Sequence, residues 1–130
     1  MGGSWASDNN DCWDHCFGNE EALSNKLITL VSDHGYDGVD IDYEYCYDTA
    51  STRHERNCNN SGTGKYSDAA AQNFLNQMTI KLRTKLDALG DGYELTHAPM
   101  DSDLDQISPY YQILKSHSDK LNFLMPQVRV

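Results

Sequence analysis

Residues 37–44 read DGVDIDYE, and the alternation within this stretch predicts a β-strand. Acidic residues occupy positions 40, 42 and 44, and bulky apolar residues occupy the positions between them. Successive side chains of a strand point to opposite faces, so the acids share one face and the apolar side chains share the other. We therefore expect a buried apolar face backed by a row of three carboxylates, Asp40, Asp42 and Glu44.

The carboxylate row is electrostatically costly. Side chains two residues apart on a strand lie about 6.6 Å from each other. Two unit charges at that separation repel by roughly 2.5 kcal/mol at an effective dielectric constant of about 20. We therefore expect the row to retain one proton near neutral pH, and a retained proton is what a general acid requires. A solvated strand face and a calcium site are the alternatives, although Tyr45 stands where an EF-hand loop needs glycine.

The remainder of the chain alternates predicted helices with predicted strands. This alternation implies right-handed βαβ units and a parallel sheet, either an open doubly wound sheet or part of a (β/α)8 barrel. Apolar spacing, capping residues and turn residues give the boundaries. Leu23, Leu27, Leu30 and Val31 recur at helical spacing in the first predicted helix. Ser67 or Asp68 can cap the second, whose apolar face comprises Phe74, Leu75, Met78, Leu82, Leu86 and Leu89. In chain order we expect a strand end and loop over 1–18, a helix over 19–34, the acidic strand, a loop over 46–65, a helix over 67–89, a strand over 93–100, a helix over 108–117 and a strand over 120–127.

Composition excludes several partners. The formal net charge is -10, and there is no basic stripe to neutralise phosphates, so we expect no nucleic-acid partner. No segment approaches the roughly 18 apolar residues of a membrane span, so no membrane partner is expected. The opening MGGSWASD has no recognisable signal peptide.

Four cysteines in polar surroundings favour disulfides. The simplest of the three possible pairings joins cysteines that are near in sequence, Cys12 with Cys16 and Cys46 with Cys58. Free thiols and a zinc site are the alternatives. The sequence NNS at 59–61 is a glycosylation acceptor pattern, which agrees with a secreted protein or one in the lumen of the secretory pathway. The disulfide candidates are Cys12, Cys16, Cys46 and Cys58.

The stretch DGVDIDYE is similar at every fixed position to the D-G-x-D-x-D-x-E signature of glycoside hydrolase family 18, the chitinase family. GGS at 2–4, YELTHAPM at 93–100 and LNFLMPQ at 121–127 resemble the family's third, fifth and sixth barrel strands, in that order. The resemblance implies an α/β fold that is a truncated, partial (β/α)8 TIM barrel, with parallel strands and outer helices. Residues 1–130 are then one fragment of a single catalytic barrel.

The family resemblance also implies an activity, the hydrolysis of β-1,4-linked N-acetylglucosamine polymers such as chitin. The acetamido oxygen of the substrate is the nucleophile in this substrate-assisted, retaining mechanism. Glu44 is the implied acid and base, Asp42 holds the acetamido N–H, and Asp40 tunes Asp42 by sharing a proton. No cofactor and no metal are implied. A complete barrel needs about 250 residues, so we expect this chain alone to fold poorly and to be inactive, and the complete protein to be a monomer.

Further residues receive roles from the same resemblance. Trp5 and Trp13 are candidates for stacking on a sugar ring, and a core or surface position fits either tryptophan as well. The implied substrate-binding residues are Met100, Gln127 and Trp5, and the implied structural residues of the motifs are Asp37, Gly38, Gly2 and Gly3.

Two other functions are open at this level. A non-catalytic, glycan-binding lectin of the same family is favoured by Val128 and Arg129, because the family usually places an aromatic residue and then a tyrosine after Gln127. An unrelated acidic metal-binding domain is the other alternative.

Overall fold

The computed structural model of the protein describes residues 1–2, 11–45 and 66–128. These residues form a mixed α/β fold around a small open sheet of three parallel strands, which confirms the predicted alternation and parallel pairing. No helix in the described ranges is both long enough and apolar enough to cross a bilayer. The elements are α1 Asp11–Asp14, α2 Glu20–His34, β1 Gly38–Ile41, α3 Asp68–Leu89, β2 Glu94–His97, a 3₁₀ turn Asp101–Leu104, α4 Pro109–Ser116 and β3 Phe123–Leu124.

The strands lie side by side in chain order, β1-β2-β3. Asp40 is opposite Thr96 in the β1–β2 register, and Thr96 is opposite Phe123 in the β2–β3 register. A parallel bridge between Gly2 and Asp42 adds the N-terminal residues to the edge of β1 that faces away from β2. With this bridge, four segments lie side by side in the order in which they occur along the chain: residues 1–2, β1, β2 and β3.

The helices also pack in chain order, α2 against α3 and α3 against α4. Helix α3 begins at the predicted cap, where the Ser67 side chain accepts a hydrogen bond from the backbone N–H of Ala70 at 3.3 Å. Its apolar stripe is at most 1% exposed and covers the apolar side of the sheet. Each such side chain contributes about 1.5–3 kcal/mol when fully buried. The stripe comprises Phe74, Leu75, Met78, Leu82 and Leu86.

Three elements differ from the sequence-based expectation. The strand expected over 120–127 is reduced to β3 and a separate bridge from Met100 to Gln127, in a stretch where Pro126 cannot donate to the ladder. Leu30 belongs to the predicted apolar stripe of α2 but is 47% exposed, because only part of that stripe meets the described core. The one-turn helix α1 lies within a segment expected to be a loop.

A buried polar network joins α3, β2 and α4 at His97, which is fully buried. The Thr79 hydroxyl donates to the carbonyl of Leu75 at 2.8 Å, so it accepts from Nε2–H of His97 at 3.2 Å. Nδ1 of His97 then accepts from the Tyr110 hydroxyl at 2.9 Å. Burial, and after it the charge of His117, lowers the pKa of His97 to about 3. The folded state therefore holds the neutral imidazole, in the tautomer that this network assigns.

The contact between β1 and β2 requires glycine at position 38. A Cβ added there would overlap the carbonyl oxygen of Glu94 and would lie 2.7 Å from its carbonyl carbon. Gly38→Ala should lower the free energy of unfolding by about 3 kcal/mol or more, since backbone must move to admit the methyl group. Gly35→Ala is the control: Gly35 has φ 65° and open space around it, so about 1 kcal/mol of backbone strain is expected. Urea denaturation measures both, and equal costs would contradict the assignment.

The His97 network predicts a pH dependence of stability. The unfolded pKa is about 6.5, so the stabilisation that depends on neutral His97 is complete above that pH and is lost as the pH falls toward 3. His97→Gln keeps a donor for Thr79 and an acceptor for Tyr110 but does not titrate. The unfolding free energy should therefore fall less in the variant than in the unaltered chain between about pH 6.5 and pH 4. Identical slopes for the two proteins would show that His97 does not carry the effect.

Candidate active site

Strand β1 and the residues after it separate two kinds of side chain. Ile41 and Tyr43 are completely buried in the core. The acids that alternate with these two residues are half-buried on the other face of the chain, and they are Asp40, Asp42 and Glu44. The alternation continues past the last residue of β1, as the buried Tyr45 also indicates. The structure thus brings the three predicted carboxylates together as one row.

Asp40 is held by the neighbouring strand. The Thr96 hydroxyl donates to its Oδ1 at 2.6 Å. Directly paired residues of adjacent parallel strands point to the same side of the sheet, and Asp40 and Thr96 are such a pair. This hydrogen bond fixes the orientation of the Asp40 carboxyl group within the row.

Asp42 is hydrogen-bonded to Gln127, which lies in the segment after β3. Nε2 of Gln127 donates to Oδ1 of Asp42 at 2.6 Å and also to the carbonyl of Ala98 at 3.0 Å. The bridge from Met100 to Gln127 and the hydrogen bond from the Gln127 backbone N–H to the Pro99 carbonyl fix the position of this amide. The predicted site residue Gln127 therefore contacts the carboxylate row directly.

Within the row, the pKa of Asp42 is raised above its ordinary value. Burial is the largest cause, followed by the negative charge of Glu44. A hydrogen bond between the Asp42 and Glu44 carboxyl groups and the charge of Asp40 act in the same direction. The Gln127 amide opposes them, because it stabilises the ionised form. Asp42 therefore keeps its proton to a higher pH than an exposed aspartate does.

The other predicted site residues are placed as follows. Met100 is 3% exposed, so its side chain lies in the interior near the ends of β2 and β3 rather than on open surface. Asp37 precedes β1, and its carbonyl accepts from the backbone N–H of Glu94 at 2.8 Å. Gly2 has φ 120°, and a Cβ there would overlap the carbonyl oxygen of Asp42. Trp5 and Gly3 lie outside the described residues.

Trp13 is part of the core. It is 6% exposed, and its ring meets the edge of the Tyr43 ring at a centroid distance of 4.7 Å. This position fits the core alternative for Trp13 and leaves no open face for a sugar. Aromatic pairs of this kind add about 0.5–1.5 kcal/mol to the burial of their area.

The cysteine pairing is not decided by the structure. Cys16 is half-buried beside the core. Cys46 and Cys58 lie outside the described residues, and so does the side chain of Cys12. The pairing of these four cysteines stays a prediction.

Sequence reasoning missed Thr96. Its role depends on the register that sets it opposite Asp40, and register is a property of two strands rather than of one. The available signal was the one hydroxyl residue in the strand pattern LTHAPM. A buried threonine in such a pattern calls for a polar partner on the adjacent strand.

A surface cavity of about 610 Å³ lies away from the row, next to the segments that precede β2 and β3. Its one arginine, Arg83, is already engaged by Asp87 at 2.7 Å, by the Tyr93 carbonyl at 3.1 Å and by Asn122 at 3.1 Å. These bonds fasten α3 to the starts of both strands. The cavity is thus a structural junction at the opposite strand ends from the carboxylates.

No group of three His, Cys, Asp or Glu side chains suited to a metal ion occurs in the part of the chain that the structure describes. Comparison with protein-family models, with curated proteins and with solved structures finds no match for this chain. The case for a function therefore depends on the residues and their geometry.

The pKa of Asp42 should respond in opposite directions to its two neighbours. Glu44→Gln removes a negative charge and replaces an acceptor by a possible donor, so it should lower the pKa of Asp42. Gln127→Met removes the amide that favours the ionised form, so it should raise that pKa. Carbon-13 NMR titration of the Asp42 carboxyl group measures both, with exposed Glu94→Gln as the control. Shifts of the same sign in the two variants would contradict this account of the site.

Proposed function

We propose that this chain carries the catalytic row of a chitinase-type glycosidase, which hydrolyses β-1,4-linked N-acetylglucosamine polymers. The observation that carries the proposal is the row of three half-buried carboxylates, in which Thr96 donates to Asp40 at 2.6 Å and Gln127 donates to Asp42 at 2.6 Å. Burial raises the pKa of Asp42 within this row. An unrelated solvated acidic face would not need hydrogen-bond donors from β2 and from the segment that follows β3. General acid catalysis does need a proton kept in place at neutral pH.

The packing order supports the barrel form of the fold. An open doubly wound sheet has helices on both faces, whereas a barrel has one outer layer of helices. Here strands and helices both neighbour one another in chain order, as consecutive βα units of a barrel do. On this reading residues 1–130 supply the equivalent of barrel strands three to six. The carboxylates then lie toward the carboxyl ends of the strands, where barrel active sites are found.

In the proposed mechanism the chain supplies the acid and the positioning groups, and the substrate supplies the nucleophile. Glu44 gives its proton to the glycosidic oxygen as the bond to the anomeric carbon breaks, and the acetamido oxygen of the same sugar bonds to that carbon. Asp42 accepts the acetamido N–H and stabilises the positive oxazolinium ring. Water then attacks the anomeric carbon as the bond from that carbon to the acetamido oxygen breaks, and the water gives a proton to the Glu44 carboxylate, which restores the acid. The anomeric configuration is retained.

A glycan-binding lectin without activity is the alternative. Val128 follows Gln127 and is 71% exposed, where the chitinase family usually places an aromatic residue. The next family position, a tyrosine that contacts the acetamido group, is Arg129 in this chain and lies outside the described residues. Loss of that contact would weaken catalysis more than binding, because the acetamido group must be oriented for attack.

The test is an assay of chitin-oligomer hydrolysis and binding, on residues 1–130 and on the longest natural chain that contains them. Glu44→Gln in the longer chain should lower the rate by about 10²–10⁴-fold and leave oligomer binding in place, because it removes only the acid. Glu94→Gln is the matched control, the same change on an exposed strand residue outside the row. Glucose oligomers, which lack the acetamido group, should not be cleaved.

The outcomes separate the two functions. Hydrolysis that requires Glu44 and the acetamido group supports the glycosidase. Binding without hydrolysis by the unaltered longer chain selects the lectin. Neither binding nor hydrolysis by that chain overturns both.

A further inference from the structure

Asp103 is a completely buried acid in the 3₁₀ turn that follows β2. Its Oδ2 accepts a hydrogen bond from the backbone N–H of Met100 at 3.0 Å. Its own backbone N–H donates to the carbonyl of Met100 at 3.0 Å. Asp103 thus binds both backbone polar groups of Met100, which is itself buried. A buried backbone N–H needs an acceptor, so the carboxyl group of Asp103 holds the segment after β2 in place.

The segment held in this way also positions Gln127. Met100 forms a parallel bridge with Gln127, and the carbonyl of Pro99 accepts from the Gln127 backbone N–H at 2.8 Å. The carbonyl of Ala98 accepts from Nε2 of the Gln127 side chain at 3.0 Å. Three successive residues of this segment therefore determine where the side-chain amide lies. The same Nε2 donates to Oδ1 of Asp42 at 2.6 Å, so the segment is connected to the carboxylate row.

We propose that Asp103 is a positioning residue for the carboxylate row, which acts through the segment after β2 to keep the Gln127 amide against Asp42. An amide NH2 group has two hydrogens, and here Asp42 and the carbonyl of Ala98 accept them, so a shift of the segment moves the amide away from one acceptor. The catalytic consequence rests on the proposed function, because only then does Asp42 hold an acetamido group. The contact between Gln127 and Asp42 is a property of the free protein and is measured without a glycan.

The test replaces Asp103 by alanine and follows the carbon-13 titration midpoint of Asp42. The Gln127 amide lowers the pKa of Asp42, so an amide that is no longer held in place should raise the midpoint, by about 0.5 pH unit. The sign separates this effect from a direct effect of charge, because loss of a nearby negative charge would lower the midpoint. The charges that already raise the pKa of Asp42 from its own segment are those of Glu44 and Asp40.

Three further variants make the test specific. Asp103→Asn keeps an oxygen acceptor for the Met100 N–H and should restore the midpoint of the unaltered chain. Asp101→Ala is the matched control and should leave the midpoint unchanged, since Asp101 lies in the same turn, is exposed and accepts from the N–H of Ser102. Asp103→Ala combined with Gln127→Met should give the midpoint of Gln127→Met alone, because the amide through which Asp103 acts is then absent.

An Asp42 midpoint that is unchanged or lower in Asp103→Ala overturns the proposal, and so do additive effects in the double variant or an asparagine variant that behaves like alanine. If Asp103→Ala does not fold, hydrogen exchange in the unaltered chain carries the test. The backbone N–H groups of Met100 and Gln127 should then open with the same free energy, because one segment holds both. Different opening free energies for the two groups overturn the proposal.

In the longer natural chain the proposal also predicts a kinetic effect. Asp103→Ala should lower kcat and move the limb of the kcat profile that follows Asp42 to higher pH, and Asp103→Asn should restore both. A raised Asp42 midpoint in a longer chain that hydrolyses no glycan refutes the proposed function but leaves the role of Asp103 intact. Hydrolysis that requires Glu44 but is accompanied by an unchanged Asp42 midpoint in Asp103→Ala refutes the role of Asp103 alone.

Discussion

The two-residue period of β1 is the constraint on which the rest of the structure depends. Ile41 and Tyr43 are fully buried, and a shift of one residue would bring the acids into the core. Burial of each large apolar side chain contributes about 1.5–3 kcal/mol, which is comparable to the roughly 2.5 kcal/mol of repulsion between neighbouring carboxylates. Four apolar side chains of this segment are buried, Val39, Ile41, Tyr43 and Tyr45, whereas the three acids form only two neighbouring pairs. The core thus fixes the register, and the crowding of the acids follows from it.

Neighbouring strands determine what the crowded acids can do. Thr96 from β2 donates to the first carboxylate, and Gln127, just beyond β3, donates to the second. The third, Glu44, shares a hydrogen bond with Asp42. Each donor reaches the row because the strands are parallel and adjacent in chain order.

Local features were predictable from the sequence, and features set by several strands were not. The alternation of β1, the apolar stripe of α3 and its Ser67 cap depend on residues a few positions apart, and all three are present. Repulsion predicts one retained proton, but the raised pKa of Asp42 depends chiefly on burial, which the local sequence does not specify. Thr96 is recognisable only once the register is known. The exposure of Leu30 and the brevity of β3 depend on what packs beside them, which apolar spacing does not specify.

Thr96 and His97 are consecutive residues of β2 and face opposite sides of the sheet. Thr96 contacts the carboxylate row and His97 lies in the core, and the stability of these two regions responds to acid in opposite directions. His97 has a lowered pKa because it is buried, so acidification charges it at a cost to the folded state. Asp42 has a raised pKa, so its ionisation is what costs stability, and acidification relieves that cost. The buried network of His97 therefore loses stability as the pH falls, and the carboxylate row at Asp42 gains it. The pH dependence of the unfolding free energy is the net result of these two opposed effects. A substitution that removes the titration of His97 or of Asp42 leaves the effect of the other residue to be measured alone.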